Sequence, residues 1–212
     1  MPHDHHEPLS PSGHPYRADD DRDLTYWQVM EIAVRELLIE KGHVSATQIQ
    51  DQINTMDARS PANGARLVAK AWTDPAFKYA LIEDAGQATR EMGFDIGPMH
   101  LIALENTEEV HNVIVCTLCS CYPRNLLGLP PDWYKSRAYR SRAVVEPRKV
   151  LSEFGLEFNQ KIQIRVHDST ADMRYIILPY QPAESVGLSE AELANWVTRD
   201  SMIGVGLPRP PA

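Results

Sequence analysis

Val115-Cys-Thr-Leu-Cys-Ser-Cys-Tyr-Pro123 holds all three cysteines of the chain, at positions 116, 119 and 121. Three thiols cannot all pair, and these stand too close together to staple distant segments, so a disulfide framework is excluded and a metal or redox centre remains. On spacing alone, a zinc held by the three thiolates and His111, in a structural or metal-carrying module, stands level with a less ordinary centre. Two features favour the latter. Cys119-Ser120-Cys121 places thiolates two residues apart, so an ion held by both lies against the intervening peptide, within reach of the amide nitrogens of Ser120 and Cys121. Deprotonated amides prefer a small, highly charged ion such as Fe(III) or Co(III) to zinc. There is also no second cysteine pair to complete a zinc ribbon or an iron–sulfur cluster. Such a ligand set leaves a position open for substrate or water, which means catalysis rather than a staple.

Outward from this loop, the pattern is mixed. Val110 to Val115 reads as a strand running straight into Cys116, and His100 to Leu104 as another, with Gly97-Pro98 as the turn before it. Lys161 to His167 alternates strictly, directing Ile162, Ile164 and Val166 to a core, and Met173 to Tyr180 forms a further strand. Short helices are expected over 132–139 and 147–154, and Ser189 with Glu192 caps a last one through Leu193, Trp196 and Val197. Upstream, apolar residues at three- and four-residue steps from Tyr26 to Leu38 predict a helix stopped by Gly42, and Ser45 with Gln48 opens a second. A third follows Ser60-Pro61, and a fourth runs from Asp74-Pro75 to Gly93. Trp27 and Trp72 read as core or interface packing. The class is α+β: an N-terminal helical arm over 21–96, then a domain over 97–212 in which helices cover the strands and the cysteine loop is carried between them.

Composition limits the alternatives. With 212 residues, 43% of them apolar, the chain can bury a core. A net charge of −8 argues against nucleic acid as a partner. No apolar run approaches a bilayer span and the N-terminus has no secretory pattern, so no membrane is expected and the cytoplasm is. The one basic cluster, with Arg137, Arg140, Arg142 and Arg148, reads as a helix surface or an anion clamp near the centre. Residues 1–20, with His3, His5, His6 and His14, are expected to form a solvated, mobile tail, with weak metal capture as the functional alternative.

The cysteine loop, Leu127-Gly-Leu-Pro-Pro-Asp-Trp-Tyr-Lys135, Tyr139-Arg-Ser-Arg142, Glu146-Pro-Arg148, Val197-Thr-Arg-Asp-Ser-Met-Ile-Gly-Val205 and Ala69-Lys-Ala-Trp-Thr-Asp-Pro75 together resemble the nitrile hydratase alpha subunit, from the first helix almost to the C-terminus. The resemblance implies a layered α-β-β-α domain carrying the metal loop. It implies one metal ion per chain, held by the sulfurs of Cys116, Cys119 and Cys121 and the amides of Ser120 and Cys121, with Cys119 oxidised to a sulfinic and Cys121 to a sulfenic acid. Thr117, where the iron enzymes carry Ser, resembles the cobalt branch, so low-spin Co(III) is expected rather than Fe(III). The implied reaction is Lewis-acid polarisation of a nitrile, followed by attack of the Cys121 sulfenate oxygen, or of water it activates, to give an amide. Ser120 should hydrogen-bond near the metal, Tyr122 should pack beside it, and Arg174 and Asp168 match a nearby arginine and a supporting acid. His111 matches the first of a His-His pair in many relatives; the second is here Asn112. A beta subunit, whole or split into two chains, and a metal-delivery activator protein are implied as partners, and the exposed stripe around Trp27 suits an obligate subunit.

One departure bears on the substrate. Nitrile hydratases usually have Trp-Pro after the Tyr-Pro pair, whereas this chain has Arg124-Asn125. Thiocyanate hydrolase gamma subunits are similar to it in having Arg there and a His/Asp-rich N-terminus, and three-chain nitrile hydratases of the toyocamycin type are a third relative. The Thr198 to Ile203 and Leu127 to Pro131 stretches incline the reading to nitrile hydration.

Overall fold

The computed structural model describes residues 23–211; the histidine-bearing segment over 1–20 lies outside the described residues. Contacts divide the chain into a unit ending at Asp51 and a unit starting at Gln52.

In the first unit, α1 (Tyr26–Glu40) starts at a capping box in which the Gln28 amide N–H donates to Thr25 Oγ1 and the Thr25 N–H donates to Gln28 Oε1. No residue of α1 is buried, and Trp27 is 76% exposed within an apolar face that includes Met30, Val34 and Leu37. The next helix, α2 (Ala46–Asp57), crosses the division and opens with the expected Ser45–Gln48 box.

The second unit begins its core at α3 (Pro61–Thr73), which buries Ala65, Leu67, Val68 and Ala71. The expected fourth helix is two: α4 (Pro75–Glu83) and α5 (Ala85–Glu91). Asp84 separates them, because its carboxylate accepts the Gln87 N–H and begins a new helix instead of continuing the old one. Then come β1 (His100–Glu105) and β2 (Val110–Val115), and after the cysteine loop α6 (Arg124–Leu127), α7 (Asp132–Lys135), α8 (Arg137–Arg142) and α9 (Pro147–Glu153). Ser136 caps α8 at Tyr139 N–H, which splits the expected 132–139 helix. The chain finishes with β3 (Gln163–Asp168), β4 (Met173–Leu178), α10 (Glu190–Ala194) and α11 (Arg199–Ile203), the last two opened by Ser189–Glu192 and Thr198–Ser201 capping boxes. The α+β class holds. Leu67, Val68, Leu81 and Ile96 share one core with Val113, Ile114, Ile176 and Ile177, so the helices from α3 onward belong with the strands.

The strands form two parallel pairs rather than one sheet: β1 with β4, from His100↔Met173 to Glu105↔Leu178, and β2 with β3, from Val110↔Gln163 to Val115↔Asp168. Consecutive β1 and β2 do not form a hairpin because side-chain amides take the backbone groups at the bend. Asn106 Oδ1 accepts from the Asn112 backbone N–H at 2.8 Å and from Asn112 Nδ2 at 3.0 Å, and Asn112 Nδ2 also donates to Glu105 O. The pairing has a functional consequence. β2 and β3 finish side by side, Ser169 N–H donates to Val115 O, and the loop that starts at Cys116 therefore leaves the same end of the pair as Asp168.

His111, offered by spacing as a zinc ligand, is committed elsewhere. Its Nε2 lies 2.8 Å from Gly204 O and its Nδ1 3.1 Å from Asn106 Nδ2, so the ring carries its proton on Nε2, donates to the carbonyl and accepts from the amide. Phe158 packs on the ring at 4.3 Å between centroids. Burial lowers its pKa below the usual histidine value, with the Gly204 carbonyl opposing. Folding therefore holds a neutral ring that the unfolded chain protonates below about pH 6.5. Stability is present above that pH and is lost as the pH falls through it, by up to about 1.4 kcal/mol per pH unit. Urea titrations between pH 7 and 5 should show this slope in the wild type and a shallower one in His111→Gln; equal slopes would mean the ring protonates in the fold.

Candidate metal centre

The three cysteine sulfurs converge. Cys116 Sγ lies 3.5 Å from Cys119 Sγ, and Cys119 Sγ lies 3.0 Å from Cys121 Sγ, too far for a disulfide and close enough to share one ion. The three ligand atoms all lie within 4.8 Å of one another, and among the described residues no histidine, aspartate or glutamate joins them. Cys116 and Cys121 are buried and Cys119 is exposed, so the group opens on one side. The fit to a transition metal rests on this donor set: soft sulfurs held together at the buried end of a strand. The peptide between them has an unusual conformation. Ser120 is the one non-glycine among the described residues with positive φ, at 150°. A sparsely populated backbone at a functional loop is held by its surroundings rather than by its own preference.

Those surroundings are specific. Asp168 Oδ1 accepts the Thr117 N–H at 2.9 Å and its Oδ2 accepts the Thr117 hydroxyl at 2.5 Å, pinning the start of the loop to the end of β3. Asp168 thus acts on Thr117. The Cys119 N–H points at Cys116 Sγ, 3.3 Å away. Burial raises the Cys116 thiol, but the N–H groups of Cys119, Cys121 and Leu118 outweigh it and bring the thiol down to about 7. Cys121 is pushed the other way, up to about 12, by burial and by its contact with Cys119, against the nearby Arg174 cation. Arg174 is the cation acting on Cys121, opposed by Cys116; its Nη1 also donates to the carbonyls of Thr170 and Met173.

In the sequence, Arg140 stands out only as part of a basic cluster and Tyr134 carries no signal of its own. Tyr134 OH donates to Cys121 O at 2.8 Å, Tyr139 OH to Ile114 O at 2.7 Å, and Arg140 Nη1 to Cys119 O at 3.1 Å. The cluster otherwise stabilises the fold: Arg142 pairs with Glu146 and Glu153, and Arg148 donates to the carbonyls of Phe158 and Ile162. A cavity of about 300 Å³ is lined by Ile96, Tyr122, Arg124, Asn125, Asp172 and Arg174 among others, which brings together both residues expected in the substrate pocket and Arg174. Tyr122 is 3% exposed, packs edge-on against Tyr134, and has no hydrogen-bond partner for its hydroxyl.

The family model for "Nitrile hydratase, alpha chain" matches residues 25–206. The chain belongs to the nitrile hydratase alpha-chain family. It is 48% identical over 184 residues, 85% of this chain and 88% of the relative, to the low-molecular weight cobalt-containing nitrile hydratase subunit alpha of Rhodococcus rhodochrous. It is 42% identical over 200 residues, 89% of this chain and 82% of the relative, to the thiocyanate hydrolase subunit gamma of Thiobacillus thioparus. Among solved structures, a double mutant of the Fe-type nitrile hydratase from Comamonas testosteroni Ni1 superposes with a TM-score of 0.81 at 42% identity, covering 88% of this chain and 92% of the other. Nitrile hydratase family relatives thus include cobalt and iron proteins, and among the described residues no helix is long and apolar enough to cross a membrane.

Proposed function

We propose that this chain is the metal-bearing subunit of a cobalt nitrile hydratase, converting R–C≡N and water into R–CO–NH₂. The observation that carries the reading is the convergence of Cys116, Cys119 and Cys121 at the end of β2, beside Arg174, in a chain of this family. The three sulfurs and the main-chain nitrogens of Ser120 and Cys121 would hold Co(III), which supplies Lewis-acid polarisation of the nitrile when bound. The chain's own residues do the rest. Cys121, oxidised to a sulfenate, offers an oxygen that attacks carbon or takes a proton from water, and Arg174 favours its anionic form. Cys119, exposed and next to it, is the position for the sulfinate. Ser120 places the two nitrogens through its positive φ, Asp168 fixes the loop through Thr117, and Tyr122 forms an apolar wall of the cavity.

The exposed apolar face of α1 is the surface for a beta subunit, single or in two chains, since covering each large apolar side chain gains about 1.5–3 kcal/mol. A metal-delivery activator would act before that assembly closes, and the cytoplasm is the expected compartment.

A second reading, the gamma subunit of a thiocyanate hydrolase, is favoured by one observation: two guanidinium groups, Arg124 and Arg174, line the cavity, which suits an anionic substrate. One assay separates the two. The purified complex should give an amide and no ammonia from an organic nitrile; ammonia and carbonyl sulfide from thiocyanate would select the second reading. If Arg124 sets the polarity of the cavity, Arg124→Trp should raise kcat/KM for small apolar nitriles about tenfold relative to charged ones, the scale of one methylene-sized to side-chain-sized change in a pocket. An unchanged substrate profile would remove Arg124 from the pocket.

A further inference from the structure

Two side chains reach back to the cysteine loop on either side of Ser120: Arg140 to the Cys119 carbonyl and Tyr134 to the Cys121 carbonyl. The two carbonyls differ chemically. The Cys119 carbonyl shares its peptide with the Ser120 nitrogen, a main-chain donor in the proposed centre, whereas the Cys121 carbonyl shares its peptide with the Tyr122 nitrogen, which is not one. Amide resonance couples nitrogen and oxygen within one peptide. An anionic Ser120 nitrogen therefore places part of its charge on the oxygen that faces the guanidinium. A hydrogen bond from a cation to such an oxygen is roughly twice as strong as a neutral one.

A second observation points the same way. Arg140 Nε is buried and has no hydrogen-bond partner, and no carboxylate pairs with Arg140 among the described residues, in contrast to Arg142 with its two glutamates. The guanidinium is half-exposed, but a buried Nε–H left without an acceptor is costly unless negative charge develops beside it.

We propose that Arg140 is the counter-cation of the metal loop, a positioning residue that orients the Cys119–Ser120 peptide and carries the charge that the Ser120 nitrogen passes to the Cys119 oxygen. It strengthens metal retention without touching metal or substrate. The proposal rests on the cobalt-centre reading, and its test separates the two.

The full chain, with any subunit that co-purifies, is produced in cobalt-supplemented cells as wild type, Arg140→Lys, Arg140→Gln, Arg140→Met and Tyr134→Phe. Cobalt per chain is followed during exposure to a chelator, together with the sulfur-to-metal charge-transfer absorption. Gln keeps a hydrogen-bond donor without the charge, so both Arg140→Gln and Arg140→Met should lose cobalt about tenfold faster and shift the absorption, while Arg140→Lys stays close to wild type. Tyr134→Phe should leave the absorption in place. Should Arg140→Met fail to fold, Lys against Gln still decides. Cobalt retention by Arg140→Gln equal to wild type overturns the proposal, as does a shift in Tyr134→Phe as large as in Arg140→Met. A wild-type chain that takes up no cobalt overturns the cobalt-centre reading and this inference with it, whereas loaded wild type with equally loaded Arg140→Gln overturns this inference alone.

Discussion

Alanine in place of Cys116, Cys119 or Cys121 should weaken cobalt retention by more than about 100-fold, because even a group that only supports a metal ligand is worth 10–100-fold. Each sulfur is one of three donors within 4.8 Å, and no neighbouring histidine or carboxylate among the described residues can replace it. Two controls make the result specific. Ser120→Ala should keep the metal, since the donor expected from Ser120 is its main-chain nitrogen and the substitution leaves that atom in place. His111→Ala should keep it too, because both ring nitrogens already serve Gly204 and Asn106. Metal analysis of the purified variants reads all five. Loss of metal in His111→Ala as well as in the three cysteine variants would return the site to a structural zinc.

The largest effect on folding is expected far from the sulfurs. Gly204 ends α11 with φ 94°, and a Cβ there would lie 2.1 Å from the Asn112 carbonyl oxygen, 2.7 Å from Ile177 Cδ1 and 3.0 Å from Val113 Cα. Two of these contacts are with the backbone of β2, which cannot move without displacing the strand that carries Cys116. Gly204→Ala should therefore cost about 3 kcal/mol or more, combining left-handed strain with overpacking. That lowers Tm by roughly 10 °C in a chain of this size. Gly155 supplies the comparison, with φ 81° and nothing within 4 Å of an added Cβ. Gly155→Ala should cost only the backbone part, about 1 kcal/mol. Equal losses in the two variants would show that β2 yields to the added methyl.

Much of the local structure was legible because its signals are short-range. The Ser45–Gln48 and Ser189–Glu192 boxes form as expected, since both partners of each bond lie within one turn. The cysteine loop was legible for the same reason: ligand spacing within six residues is a local property. Breaks set by a single side chain were missed. Asp84 and Ser136 look like ordinary helix-interior and helix-surface residues until their side chains are seen capping the next turn. The pairing of β1 with β4 and β2 with β3 joins segments more than fifty residues apart and depends on the Asn106–Asn112 amides blocking a hairpin, which strand periodicity does not encode.

The site shows the same division. Sequence located the sulfurs, and Arg124, Tyr122 and Arg174 meet in one cavity, but His111 was open to a ligand role that only its buried partners exclude. Arg140 was visible as charge and not as position, because its bond to Cys119 spans 21 residues and a run of short helices. The family resemblance offered Asp168 as a supporting acid, and its partner, Thr117, emerges only from the parallel register that ends β2 and β3 together.

Native mass spectrometry of the purified chain tests the central claim most directly, since it reads the bound metal and added oxygen on one molecule. The account predicts one cobalt per chain with added oxygen that peptide fragmentation assigns to Cys119 and Cys121 and not to Cys116. Zinc bound to three unmodified thiols would contradict it.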